Sequence, residues 1–98
     1  MKFFFSDHFL IQVKERRISK RLAKSIYLQA TKRYFDTLTG YHVAIARRKH
    51  LGKMRNIMIA YDAIIVGEIW FVTSYPVRDK EIENRIRARR WVLKNEKN

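Results

Sequence analysis

At 98 residues the chain has room for one hydrophobic core, and its 47% hydrophobic and 13% aromatic content excludes wholesale disorder. It has no cysteine, which rules out disulfides and thiolate metal sites and fits a reduced, cytoplasmic setting. Lysine and arginine number 22 against 9 acidic residues, a net charge of +13 that exceeds ordinary solubilisation and implies an anionic partner.

Met1 to Phe5 is apolar, but Asp7 and His8 end it far short of a signal-peptide core. No run approaches the roughly eighteen apolar residues of a membrane span. Ser6 or Asp7 caps a helix with Phe9, Leu10 and Val13 at helical spacing, which ends near Lys14-Glu15-Arg16-Arg17, with Ile18 packing the turn. Ser19 caps a longer helix. Its stripe is Leu22, Ala23, Ile26, Tyr27, Ala30 and Tyr34, with Lys20, Arg21, Lys24 and Lys32 outside it.

After the turn chemistry of Asp36-Thr37-Leu38-Thr39-Gly40 the apolar period changes from about 3.6 to 2. Tyr41, Val43 and Ile45 alternate with His42, Ala44 and Ala46. A basic loop, Arg47-Arg48-Lys49-His50-Leu51-Gly52-Lys53, leads to a second strand, where Arg55, Ile57, Ile59 and Tyr61 alternate with Asn56, Met58, Ala60 and Asp62. The two strands form an antiparallel hairpin. Glu68 to Tyr75 is a third strand, closed by Pro76. Between them Ile64-Ile65-Val66 is apolar where a hairpin turn is ordinarily polar, and either extends the strands or meets a partner.

Asp79 caps a final helix with Ile82 and Ile86 inward and the pairs Glu81-Arg85 and Glu83-Arg87, continuing towards Trp91 and Leu93. The expected architecture is a single α+β domain over residues 1–98. Two N-terminal helices precede a small antiparallel sheet of three or four strands, a C-terminal helix follows, and the helices lie on one face.

Several strings in this order resemble the RelE/ParE superfamily of bacterial and archaeal toxins, nearest its BrnT-like branch and related small uncharacterised domains. They are His8 with Lys14-Glu15-Arg16-Arg17-Ile18-Ser19, Tyr34-Phe35-Asp36, Thr39-Gly40, the strand 55–62, Val72-Thr73-Ser74-Tyr75-Pro76, and Arg85 to Trp91. Together they span most of the chain. The resemblance implies a RelE-like sheet that cradles RNA and metal-independent endoribonuclease activity, often on translated mRNA at the ribosome. It also implies neutralisation by a cognate antitoxin. Some relatives poison gyrase instead or have no known activity. The apolar Ile64-Ile65-Val66 segment departs from the acidic or glycine-containing turn of that branch.

Metal-free RNA cleavage needs a base for the ribose 2′-hydroxyl, cations for the charged phosphorane and an acid for the leaving oxygen. Arg47, Arg48, Lys49, Lys53 and Arg55 place five basic residues in nine positions without one acid, which fits the cationic part. Alternation puts Arg47 and Arg48 on opposite faces. Arg85 and Arg89, one turn apart on the last helix, can reach a phosphate together, and Arg16 and Arg17 either flank the same site or merely decorate the helix end. His42 and Tyr75 are the proton-transfer candidates, with Lys49 and Arg85 beside them as catalytic cations. His8 matches a position of the resembling domains or simply caps its helix. Three glycines and the absence of metal-ligand spacing leave no phosphate-cradling loop, metal site or cofactor to expect.

The first reading is a toxin-type endoribonuclease with RNA in a basic groove between the sheet and the last helix. A second is a non-catalytic nucleic-acid-binding module or regulator. A third is an interaction protein that docks an acidic partner such as an antitoxin.

Overall fold

The computed structural model describes residues 1–94. In chain order the elements are β1 (Lys2–Phe5), α1 (Asp7–Arg16), α2 (Lys20–Gln29), β2 (Lys32–Asp36), β3 (His42–His50), β4 (Lys53–Asp62), β5 (Glu68–Val77), α3 (Asp79–Arg87) and β6 (Trp91–Leu93). They form an α+β fold around one mixed sheet, ordered β1-β5-β4-β3-β2-β6. β1 runs parallel to β5, and the other neighbouring pairs are antiparallel.

Each face of the sheet carries its own core. Phe9 and Ile18 join Ala23 and Ile26 of α2 against Ala44, Ile57, Ile59, Tyr61, Ile69 and Phe71 on one face. On the other, Tyr34, Val43, Ile45, Met58, Ala60, Val77 and Trp91 are buried together, with Tyr75 and Ile82 of α3 packed against them. The two N-terminal helices begin as the sequence predicts: Ser6 Oγ accepts from the Phe9 amide and Ser19 Oγ from the Leu22 amide, each at 3.0 Å.

The expected small antiparallel sheet under helices on one face is corrected in four places. Phe3 and Phe5 pack towards α2 while Phe4 points to the opposite face, so the apolar opening is an edge strand. The second helix stops at Ala30, whose ψ of 132° is extended, and Lys32–Asp36 pairs with β3. Tyr34 follows Ala30 at helical spacing only by coincidence. Ala88 and Arg89 break the last helix, Arg89 with a left-handed φ of 59°, and Trp91–Leu93 then returns as β6 beside β2. The basic loop is itself strand: β3 and β4 continue to a two-residue turn, Leu51-Gly52, with φ of 51° and 80°, the signature of a type I′ hairpin.

Two smaller expectations also change. Arg78, not Asp79, is the N-cap of α3, with no side-chain cap bond. Glu81 pairs with Arg78 at 3.5 Å rather than with Arg85.

Beyond β1, the edge of β5 is covered by α1. Ser6 N–H donates to the Phe71 carbonyl and Ser6 Oγ to that of Val72, both at 2.9 Å. Arg16 donates to the Ser74 carbonyl at 2.8 Å. Ser6, the N-cap of α1, and the Arg16 side chain thus satisfy backbone groups that a bare edge would leave open. No helix among the described residues is long and apolar enough to cross a membrane.

Candidate nucleic-acid interface

Tyr75 lies opposite Met58, on the sheet face covered by α3 and beside the strand edge guarded by α1. Arg85, in the last turn of α3, donates from Nη1 to Tyr75 Oη. Its guanidinium carbon sits 5.6 Å from the Tyr75 ring centre and 4.8 Å from that of Trp91. Arg16, anchored on the Ser74 carbonyl, brings its own guanidinium to 5.6 Å from the same phenol ring. Two cations from different helices therefore converge on one phenol. Neither forms a salt bridge with a carboxylate among the described residues, so both keep donors for an anionic oxygen.

The wall formed by α1 carries a polar row that sequence reasoning missed. His8, Gln12 and Arg16 recur every fourth residue and so share one helix face. Gln12 is buried; its Oε1 accepts from Thr73 Oγ1 at 2.7 Å, and its Nε2 lies 2.6 Å from His8 Nε2. The spacing was the available signal, but a glutamine inside an apolar stripe gives no hint of its partner 61 positions away.

The remaining predicted site residues do not join this cluster. His42 is on the opposite sheet face, stacked on Tyr61 at 5.3 Å and edge-on to Phe35 at 5.7 Å. Burial, and then the charge of Lys94, push its imidazole below the ordinary histidine value against the opposing effect of Asp62. Lys49 is seven residues further along β3, about 23 Å away at strand rise, and faces the other side. It stands opposite Met54 near the hairpin tip, four register positions from the row holding Tyr75.

Arg47 and Arg48 do face opposite ways. Arg48 is tied to α2 through a 2.7 Å bond to Gln29 Oε1, and Arg55 donates to the His50 carbonyl at 3.3 Å. Lys53 is exposed at the start of β4. Arg17 is exposed in the left-handed cap of α1. Arg89 lies past the end of α3 in the turn to β6, which separates it from Arg85 instead of stacking the two one turn apart.

The groove between α3 and the sheet is not the uniformly basic channel expected from the sequence. A cavity of about 580 Å³ at the start of α3 is lined by Arg47, Arg55 and Arg78 but also by Asp79 and Glu81. Its neighbour of about 460 Å³, towards β2, sets Glu83 and Asp79 opposite Lys32 and Arg47. Carboxylates on that wall repel a phosphate chain, whereas Arg85 of α3 and Arg16 of α1 meet at Tyr75 without a carboxylate in a salt bridge to either among the described residues. No family model, curated protein or solved structure matches this chain. Among the described residues no group of three or more His, Cys, Asp or Glu is placed to hold a metal ion.

Proposed function

We propose that this domain binds RNA and cleaves it without a metal ion, at the surface where the Arg16 and Arg85 guanidiniums meet Tyr75. The observation that carries the reading is the convergence on a single phenol of two guanidiniums that have no salt-bridge partner among the described residues, in a chain of net charge +13.

In this mechanism a ribose 2′-oxygen attacks the adjacent phosphorus and the P–O5′ bond breaks, leaving a 2′,3′-cyclic phosphate and a 5′-hydroxyl. Arg16 and Arg85 stabilise the added negative charge on the phosphorane oxygens. Tyr75 gives its phenolic proton to the departing 5′ oxygen, and the proton of the 2′-hydroxyl passes to solvent water. Because Arg85 donates to Oη, the phenolic hydrogen is left to point elsewhere. Taken with the sequence resemblance, the reading extends to a toxin acting on mRNA, at the ribosome or free, with an antitoxin as its protein partner.

A second reading, RNA binding without cleavage, is favoured by one observation: neither His42 nor His50 adjoins Tyr75. His42 is on the other face, and His50 is buried with Nε2 2.7 Å from the Arg16 carbonyl oxygen.

End-labelled mRNA incubated in EDTA, with and without ribosomes, separates the two. The wild type is expected to cut at discrete positions. Tyr75→Phe should lower the rate by roughly 10²–10⁴-fold, the usual worth of a positioned acid, while retaining RNA affinity. Arg85→Ala should lower both. Intact RNA held in a salt-sensitive complex would transfer the conclusion to the binding module, and absence of any RNA complex would sink both readings.

A further inference from the structure

The site at Tyr75 leaves a separate feature of the same sheet face unused. Ile64 and Val66 are 85% and 99% exposed in the β4–β5 turn, and Ile65 is 55% exposed. With Trp70 and Asp62 the two isoleucines line a cavity of about 260 Å³. Trp70 pairs in register with Asp62, and Asp62 shares a face of β4 with Ala60 and Met58, which oppose Thr73 and Tyr75. Pocket and site therefore lie on one face of β5. Five residues apart, they are separated by about 16 Å at strand rise, a span that a few nucleotides of one strand cover.

We infer that this pocket is a subsite for one unpaired nucleobase of the RNA held at Tyr75, and that Asp62 selects bases bearing an amino group. The inference rests on the RNA-binding reading and adds what it lacks, a reason for single-stranded substrate and a source of base preference.

Three observations favour a nucleobase over a protein segment. The Trp70 indole is held as a platform: Phe4 of β1 stacks on it at 4.5 Å and 14°, and its Nε1–H donates to Glu68 at 3.1 Å. Phe4 comes from the strand on one side of β5 and Asp62 from the strand on the other, so the ring face turned away from Phe4 borders the pocket. A space of about 260 Å³ bounded by one indole and two isoleucine side chains is on the scale of a single base rather than of a helix.

The pocket also holds one specific polar group. Asp62 Oδ1 accepts from the Ile64 amide at 3.1 Å, which fixes the carboxylate and leaves Oδ2 as an acceptor. A carboxylate accepts from the exocyclic amine of cytosine or adenine, or from the N1 and N2 hydrogens of guanine, and repels the carbonyl oxygens of uracil. Stacking supplies affinity and the carboxylate supplies choice.

The test titrates the full chain with short cytidine, adenosine and uridine oligoribonucleotides in EDTA at low salt, following tryptophan fluorescence. Trp91 is 1% exposed, so quenching by a stacked base reports Trp70. Cytidine and adenosine oligomers should quench and bind about tenfold more tightly than uridine oligomers. Trp70→Ala should abolish the quenching and weaken binding by about tenfold or more. Asp62→Asn, which keeps the bond to Ile64 and offers an amide donor to a carbonyl, should shift the preference towards uridine.

Oligomers that bind without quenching, or with equal affinity in all three series, would overturn the subsite while leaving the Tyr75 site standing. Failure of every oligomer to bind would instead overturn the RNA reading itself. Phe4→Leu, which removes the supporting ring from an edge strand but keeps Trp70, should lower quenching with little change in melting temperature.

Discussion

At the scale of single residues, the proposed site depends on an aspartate, Asp36, that contacts neither Tyr75 nor Arg85 directly. Asp36 is 4% exposed at the end of β2. Its Oδ1 accepts from the amides of Leu38 and Thr39, which shapes the turn into β3. Its Oδ2 accepts from the Trp91 indole at 3.2 Å and meets the Arg90 guanidinium at 3.3 Å. Trp91 in turn supports Arg85, so a buried carboxylate positions the cation that faces Tyr75. Burial pushes the Asp36 carboxyl up, but the hydrogen bonds from Arg90, the turn amides and Trp91 outweigh it and hold the group below the usual aspartate value. A depressed folded-state value stabilises the fold above the unfolded aspartate value, near 4, and that stability is lost as pH falls further. Asp36→Ala should cost about 2–3 kcal/mol by leaving the indole N–H and guanidinium unsatisfied, lowering the melting temperature at neutral pH by about 10 °C. The gap between variant and wild type should narrow as pH falls through the depressed Asp36 value, which thermal melts across pH 2–7 would check.

At the scale of elements, the long periodic segments were legible in the sequence and the short ones were not. The cores of α1, α2 and the β3–β4 hairpin carry enough residues for a period to show. β2 has five residues and β6 three, so each offers at most two buried side chains, and Tyr34 and Trp91 also fit the helical stripes next to them. β1 has no alternation to read because all three of its phenylalanines are covered, two by α2 and one by Trp70. The candidate site was half legible. Tyr75 and Arg85 were identified and do meet, but Arg16 reaches them only because α1 guards the β5 edge. His42 was misplaced because alternation within a strand does not reveal which face a helix will cover. The basic hairpin shows the same limit in reverse, since charge density over 47–53 read as loop. A type I′ turn needs positive φ at both central positions, and Leu51 takes φ 51° at a steric cost of about 1 kcal/mol. Leu51→Asn, giving the preferred Asn-Gly turn, should therefore raise stability by about 0.5–1 kcal/mol in urea melts without altering RNA cleavage. Gly52→Val should lower it.

At the scale of the whole molecule, the charge proposed to serve RNA binding opposes folding. A net +13 on a body with principal extents of 33 × 32 × 22 Å holds its like charges within a few Debye lengths of one another at physiological salt. Self-repulsion of this kind destabilises the compact state, and added salt relieves it. Binding responds with the opposite sign, because each phosphate neutralised by lysine or arginine releases condensed counterion, and salt opposes that release. Contact with about four phosphates of a single strand gives a slope near −3 in log affinity against log salt, a loss of roughly fifty-fold between 50 and 200 mM. Melting temperature should rise over the same interval. Arg85→Ala should flatten the binding slope by a little under one unit. It should also blunt the gain in melting temperature, since one repelling charge is gone. If melting temperature instead fell with salt alongside RNA affinity, the like charges would be compensated within the fold, and self-repulsion would no longer oppose folding.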